Sequence, residues 1–199
     1  MKAVDAIFAL ISGYIVGWVA RDFLNEYGVD IGFWYILVLH YAIPVFSVFC
    51  LWVAGIIGRR FLFVYQAAKH ILVGALATVI DLKFFELFVW LFSLLIFITP
   101  VFSKTISFLI STLVKYWGNK YWAFEKREKE GSKKELLYFF AVTVVGLGLD
   151  VALFYFFAKI MGPQFSMPDA AWVKFSVLLS ALGAAVWNFS AYKFLVFKK

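Results

Sequence analysis

Six apolar segments, each close to or above 20 residues, leave this chain little to fold into except membrane-spanning helices. They fall at about 4–20, 33–57, 70–97, 101–122, 136–160 and 172–196 of the 199 residues. A helix rising 1.5 Å per residue needs ~20 residues to cross a hydrocarbon layer ~30 Å thick. Lipid offers the backbone no hydrogen-bond partner, so each segment reads as a helix rather than an open strand. Composition agrees: 64% of residues are hydrophobic and mean hydropathy is +0.90, far above a soluble domain. The net charge of +7 must therefore crowd into short loops. That placement fits membrane topology and anionic lipid, and it excludes nucleic acid as the partner. A single cysteine, Cys50, excludes an internal disulfide, and His40 and His70 lie too far apart in sequence to suggest a zinc site. No nucleophile stands near a base, so no catalytic residue is assigned and the chain does not read as an enzyme. No cofactor is implied.

Lysine and arginine set the direction of the spans. Lys2, Arg59, Arg60, Lys69, Lys120, the charged connector 125–135, Lys193, Lys198 and Lys199 fall on one side. Only Arg21, Lys104, Lys159 and Lys174 fall on the other. The positive-inside rule then places both termini in the cytoplasm. The start of the chain has no A-x-A-like cleavage site and reads as a retained anchor. Gly13-x-x-x-Gly17 predicts close approach of the first helix to a neighbour, and Ser180, Gly183 and Ala184 predict the same for the sixth. Pro44 predicts a kink in the second span. His40 reads as a hydrogen-bonded polar residue. Trp34, Trp117, Trp122 and Trp172 read as interfacial anchors.

Two stretches repeat one another. Lys69 to Asp81 (KHILVGALATVID) matches Tyr138 to Asp150 (YFFAVTVVGLGLD), and both end on an aspartate where the bilayer should be oily. Each is followed, one span later, by a basic-aromatic close: Asn119-Lys120-Tyr121-Trp122-Ala123-Phe124, then Tyr192-Lys193-Phe194-Leu195-Val196-Phe197. With two spans per copy, both copies enter the membrane from the same side and form a parallel repeat. The fold class is an all-α integral membrane protein of six transmembrane helices, the last four arranged as two parallel two-helix repeats. Asp81 lies about a dozen residues from the basic face, or ~18 Å along a helix, near the midplane. Lys83 and Glu86, at i,i+3, are expected to pair. Asp81 needs another partner, and Asn119, Lys120, Lys115 and Asn188 all qualify. Ionisable groups at that depth suggest a task, although packing the two halves through side-chain hydrogen bonds would also account for them.

The repeat resembles the GtrA-like family of small membrane proteins. That family shows an F-x-x-V-G-type opening, an intramembrane Asp and an N-F-x-x-N-[RK]-x-W-V-F-type close, used twice. Val73-Gly74 and Asp81 carry the first opening, and residues 115–124 and 188–197 carry the two closes. Lys115 replaces the first Asn of one close, Tyr192 replaces the second Asn of the other, and Leu195 stands in place of Trp. Each copy thus keeps a different half of the polar pair. The resemblance covers about 66–199, with repeats at about 69–124 and 135–197; residues 1–65, with two further spans, lie outside it.

The resemblance implies translocation of a polyprenyl-phosphate-linked sugar across the cytoplasmic membrane of a prokaryote, for use on surface polysaccharide. In that reading Lys120 and Lys193 hold the phosphate, while Tyr121 and Trp122 stack on the sugar ring. Asp81, Asp150, Asn119 and Asn188 exchange hydrogen bonds with hydroxyls, and Lys115 stands at the altered position of the first close. No Walker-type loop is present, so ATP is not the driver. A second reading is an accessory anchor that positions a glycosyltransferase through residues 1–65 and the 125–135 loop. A third, a proton-coupled cation exporter, sits poorly with a cationic rim. Four core spans make a thin bundle, which favours a homodimer in contact with membrane lipid.

Overall fold

A computed structural model describes residues 2–26, 32–92, 100–126, 132–164 and 168–197, and all regular structure among them is helical. Helix α1 is Ala3–Glu26. A second rod joins α2 (Phe33–Leu37) to α3 (Ile43–Gly58) through a π-helical turn, Val38–Ala42. Helix α4 is Leu62–Phe92. Helix α5 (Pro100–Trp117) runs on into a π-helical end, Gly118–Ala123. Helix α6 (Ser132–Tyr155) continues as a π-helical Phe156–Met161, and α7 (Asp169–Ala191) ends in a π-helical Tyr192–Val196. These six rods are the six expected spans. Residues 93–97 of the third, 127–131 of the charged connector, Lys198 and Lys199 lie outside the described residues. The ends of the connector are described, and Lys126 Nζ meets Glu135 Oε1 at 2.6 Å.

Ala3–Arg21, Phe33–Gly58 and Lys133–Met161 are long and apolar enough to cross a membrane. Their outward side chains are apolar nearly all round, as lipid contact requires: Ile7, Ile11, Tyr14 and Trp18 on α1, Phe46 and Phe49 on α3, Leu147 and Val151 on α6. Helix α4 starts eight residues before the expected boundary near residue 70. Lys69 suggested a helix edge at the headgroups, but its charge is neutralised by a partner and the helix runs straight past it.

The chain forms two compact units, Met1–Glu125 and Lys126–Lys199. In the first, α1 packs on α3 and α4, and α4 packs on α5. The two N-terminal spans therefore belong to the same body as the first repeat. The second unit is the α6–α7 hairpin.

Gly13 and Gly17 act as the spacing suggested. A Cβ at Gly13 would lie 2.6 Å from Pro44 Cα, and one at Gly17 would overlap the Leu39 carbonyl oxygen. The expected kink at Pro44 takes the form of a π-helical turn just before it. Proline lacks an N–H and crowds the carbonyl one turn back, and a wider turn accommodates both. His40 sits on that turn with Nδ1 3.2 Å from the Ile36 carbonyl and its ring edge-on to Tyr14. In the second unit Gly183 admits Leu153 beside buried Ser180 and Ala184, as the small-residue pattern indicated.

Both repeats close with the same backbone event. Phe124 N–H donates to the Asn119 carbonyl (2.8 Å) and Phe197 N–H to the Tyr192 carbonyl (2.7 Å), each five residues back. Both phenylalanines are buried. Replacing Gly17 with Val should force α1 off the π-helical turn. Overpacking of this kind costs about 1–3 kcal/mol, so detergent-solubilised Gly17→Val should melt several degrees below the parent in a thermal unfolding scan.

Candidate functional site

The register of the first hairpin is fixed by two hydrogen bonds. His70 Nδ1 and Asn119 Oδ1 are 2.7 Å apart, and Ser107 Oγ donates to Asp81 Oδ1 at 2.7 Å. Asn119 Nδ2 donates back to the Lys115 carbonyl at 2.7 Å, which orients the amide. Its oxygen therefore faces His70, so His70 Nδ1 carries the proton it donates. Asp81 thus accepts from Ser107, a residue that was not among the four expected. The reason is depth. Moving eleven residues along α4 from His70 to Asp81, ~16 Å, requires a similar rise back along antiparallel α5 from Asn119, and twelve residues, beginning in the π-helical end, arrive at Ser107. Lys83 Nζ meets Glu86 Oε2 at 2.9 Å, as their spacing indicated, and lies over the Trp18 ring.

The second hairpin puts different chemistry on equivalent positions. Phe139, the counterpart of His70, stacks on Tyr192, the counterpart of Asn119, with ring centroids 4.2 Å apart. Thr143 Oγ1 donates to the Phe139 carbonyl (2.8 Å), so the Tyr192 hydroxyl is the donor in its 2.6 Å bond to Thr143. An amide–imidazole pair in one copy is an aromatic stack in the other. Trp187 Nε1 donates to the Val142 carbonyl across the same seam. Asp150 and Asn188 lie on this seam, and the Oδ1 of each is buried without a hydrogen-bond partner.

The basic end of the first unit holds a cluster that the sequence reading did not assign. Asp5 is buried and receives four donors: Lys69 Nζ at 2.9 Å, Trp122 Nε1 at 2.8 Å, the Tyr65 hydroxyl at 2.6 Å and the Lys2 backbone N–H at 3.0 Å. Four donors fill a carboxylate's lone-pair sites. Lys69, equally buried, spends its three protons on Asp5, on Glu125 Oε1 (3.2 Å) and on the Trp122 carbonyl (3.4 Å). Tyr65 and Trp122 also present ring faces to the ammonium. Lys2 Nζ completes the network on Glu125 at 3.1 Å. Burial acts to raise the Glu125 carboxyl, but hydrogen bonds from Lys2 and Lys69 outweigh it and hold the group below its ordinary 4.5. The legible signal was an acid three residues into the first span at the same face as Lys69.

The other proposed residues divide by availability. Trp122 is buried, stacks on Phe8 and is bonded to Asp5. Lys120 is fully buried and its Nζ donates to the Tyr116 hydroxyl at 3.3 Å. Lys115 is half-buried, and Lys193 is half-buried between the Phe189 and Phe194 rings. Tyr121 is exposed at 48%, on the rim of an apolar cavity of about 280 Å³ that Phe8, Ser12, Val73, Val114 and Trp117 also line. Among the described residues no His/Cys/Asp/Glu group could hold a metal ion.

The described residues form an all-helical membrane protein whose repeated hairpin carries a half-buried acid in each copy. Residues 69–197 match the GtrA/DPMS transmembrane domain, and the chain belongs to that family. Membership ties it to polyprenyl-phosphate-linked sugars in a lipid setting, in a family that is in general non-catalytic. No curated protein and no solved structure matches the chain.

Breaking a saturated buried ion pair by removing one partner costs about 3–5 kcal/mol, whereas replacing both by apolar groups is often tolerated. Lys69→Met and Asp5→Leu should each lower thermal stability sharply, and the double variant should regain much of the loss in a double-mutant cycle. Glu125 supplies a pH dependence. Its carboxyl is depressed in the folded state, so its contribution is present above the ordinary value of 4.5 and fades as pH falls through the range below it. The group is partly exposed, so salt will screen the effect. Acid-side melting curves of Glu125→Gln should show a shallower decline than the parent.

Proposed function

We propose that this protein moves a polyprenyl-phosphate-linked monosaccharide across the cytoplasmic membrane of a prokaryote, both of its termini lying in the cytoplasm. The observation that carries the proposal is the duplicated hairpin with ionisable groups deep in each seam, within a chain of the GtrA/DPMS family. Stripping water from a sugar and a phosphate is costly, and a protein that supplies replacement hydrogen bonds lowers that barrier while the polyprenyl tail stays in lipid. The basic ends attract the phosphate, with Lys193 the more accessible lysine and Lys120 held in an aromatic cage. Tyr121, exposed at the cavity rim, is the more accessible aromatic to lie against a sugar ring, since the Trp122 indole is buried and bonded to Asp5. Transport is downhill or coupled to protons.

Reconstitution into liposomes tests this. The protein should equilibrate a fluorescent polyprenyl-phosphate monosaccharide between leaflets at least tenfold faster than protein-free vesicles, and Lys193→Ala should slow it several-fold. If the lipid stays put while affinity purification recovers a glycosyltransferase, the protein is an accessory anchor instead.

A further inference from the structure

We infer that the two hairpins have divided their labour, and that the second alone carries the subsite for the sugar's hydroxyl groups, formed by Asp150 and Asn188 beside Gly146. The inference rests on the function proposed above and adds where the cargo's polar head is held.

In the first hairpin the carboxylate at the matched position and the amide of the seam are already bonded within the protein. Asp81 accepts from Ser107, and Asn119 is used on both faces of its amide by His70 and Lys115. In the second hairpin the Oδ1 atoms of Asp150 and Asn188 are buried and accept nothing among the described residues. Asn188 is 9% exposed. Orphaned buried acceptors are rare in folded proteins and destabilise them, so two on one seam call for an explanation.

Among the described residues no nearby donor reaches these two oxygens. Thr143, Tyr192 and Trp187 are committed to each other or to backbone carbonyls. The backbone, meanwhile, makes room for the amide. The Asn188 side chain lies where a Cβ on Gly146 would stand, with its Oδ1 nearest to that point and its Nδ2 2.9 Å away. Asp150 follows Gly146 at i+4, on the same face and ~6 Å further along the axis. The first hairpin has Ala77 where the second has Gly146, and Lys115 where it has Asn188. The space and the amide occur together, in one copy only.

The chemistry selects the ligand. Two inward acceptor oxygens, one on a carboxylate, need donors. A phosphate brings only acceptors and negative charge and is repelled. A sugar brings several hydroxyls, each able to donate to Asp150 or Asn188 and to accept from the Asn188 amide N–H. The phosphate is then left to the basic end and the sugar to the seam.

The test measures thermal stability and transport on the full chain. Asn188→Leu and Asp150→Leu should melt as high as the parent or a few degrees higher, because each removes an orphaned acceptor. Ser107→Ala, in the satisfied seam, should melt lower. A polyprenyl-phosphate monosaccharide should raise the parent's melting temperature more than bare polyprenyl phosphate does, and Asn188→Leu should erase that difference and cut liposome transport at least tenfold. Asp150→Asn, which keeps shape and loses charge, should retain part of both. The inference is overturned if Asn188→Leu and Asp150→Leu move the lipid at the parent's rate. It is also overturned if sugar-bearing and bare lipid stabilise the parent equally, or if sodium in place of choline stabilises the parent through Asn188 without sugar. A parent that binds the sugar-specific lipid through Asn188 but never moves it sinks the transport proposal and leaves the subsite standing.

Discussion

A polar side chain within hydrocarbon has only the protein, or a ligand, to bond with, and this constraint orders the whole structure. The chain meets it in three ways. Lys69 and Asp5 are sunk near the basic end with every donor and acceptor filled, so a buried ion pair joins the first span to the first repeat. Asp81 and Asn119 are closed off by a hydroxyl and an imidazole from the facing helix. In the second hairpin the same seam is left open at two oxygens. A charge-saturated clasp, a satisfied seam and an unsatisfied seam are different answers to one desolvation cost.

The repeat shows how far side-chain chemistry can drift while a backbone solution holds. Both copies end in a π-helical stretch that delivers a buried phenylalanine, with the same five-residue hydrogen bond. Yet His70 against Asn119 becomes Phe139 against Tyr192, a hydrogen bond exchanged for a ring stack at matched positions. Both pairs fix the register of two antiparallel helices. An amide–imidazole bond does so through direction, and a stack does so through area and shape. The register does not require polarity at that level, so polarity retained deeper in the seam has some other cause.

Much of this was legible in the sequence because it follows from length and period. The six rods, the Gly13–Gly17 contact, the Lys83–Glu86 pair and the small residues of the sixth span need only helix geometry. Ser107 was not among the partners expected for Asp81, although helix spacing points towards it. Both hairpin openings and closes were placed at one face, and steps of eleven residues from His70 and twelve from Asn119 lead to those two residues. The lysines and asparagines named as partners qualified by chemistry, and the sequence pattern alone did not choose among them. The Asp5 cluster was harder to read. It joins residues more than a hundred positions apart, and a pattern of spans does not say which helix ends touch. The π-helical turns leave no periodic trace, since they shift phase by one residue over one turn.

A cargo with one head needs one place to put it. Two seams of equal affinity would offer two resting positions, and a tightly held intermediate slows a passage that binding was meant to ease. Satisfying one seam internally removes that second well and turns its hydrogen bonds to holding the hairpin together. Leaving the other unsatisfied costs stability in the empty protein, which raises the free energy of the unloaded state and not that of the loaded one. On the subsite inferred above, the orphaned oxygens of Asp150 and Asn188 are a cost that a hydroxyl would relieve, and selectivity for a sugar-bearing lipid over a bare one would follow from that relief.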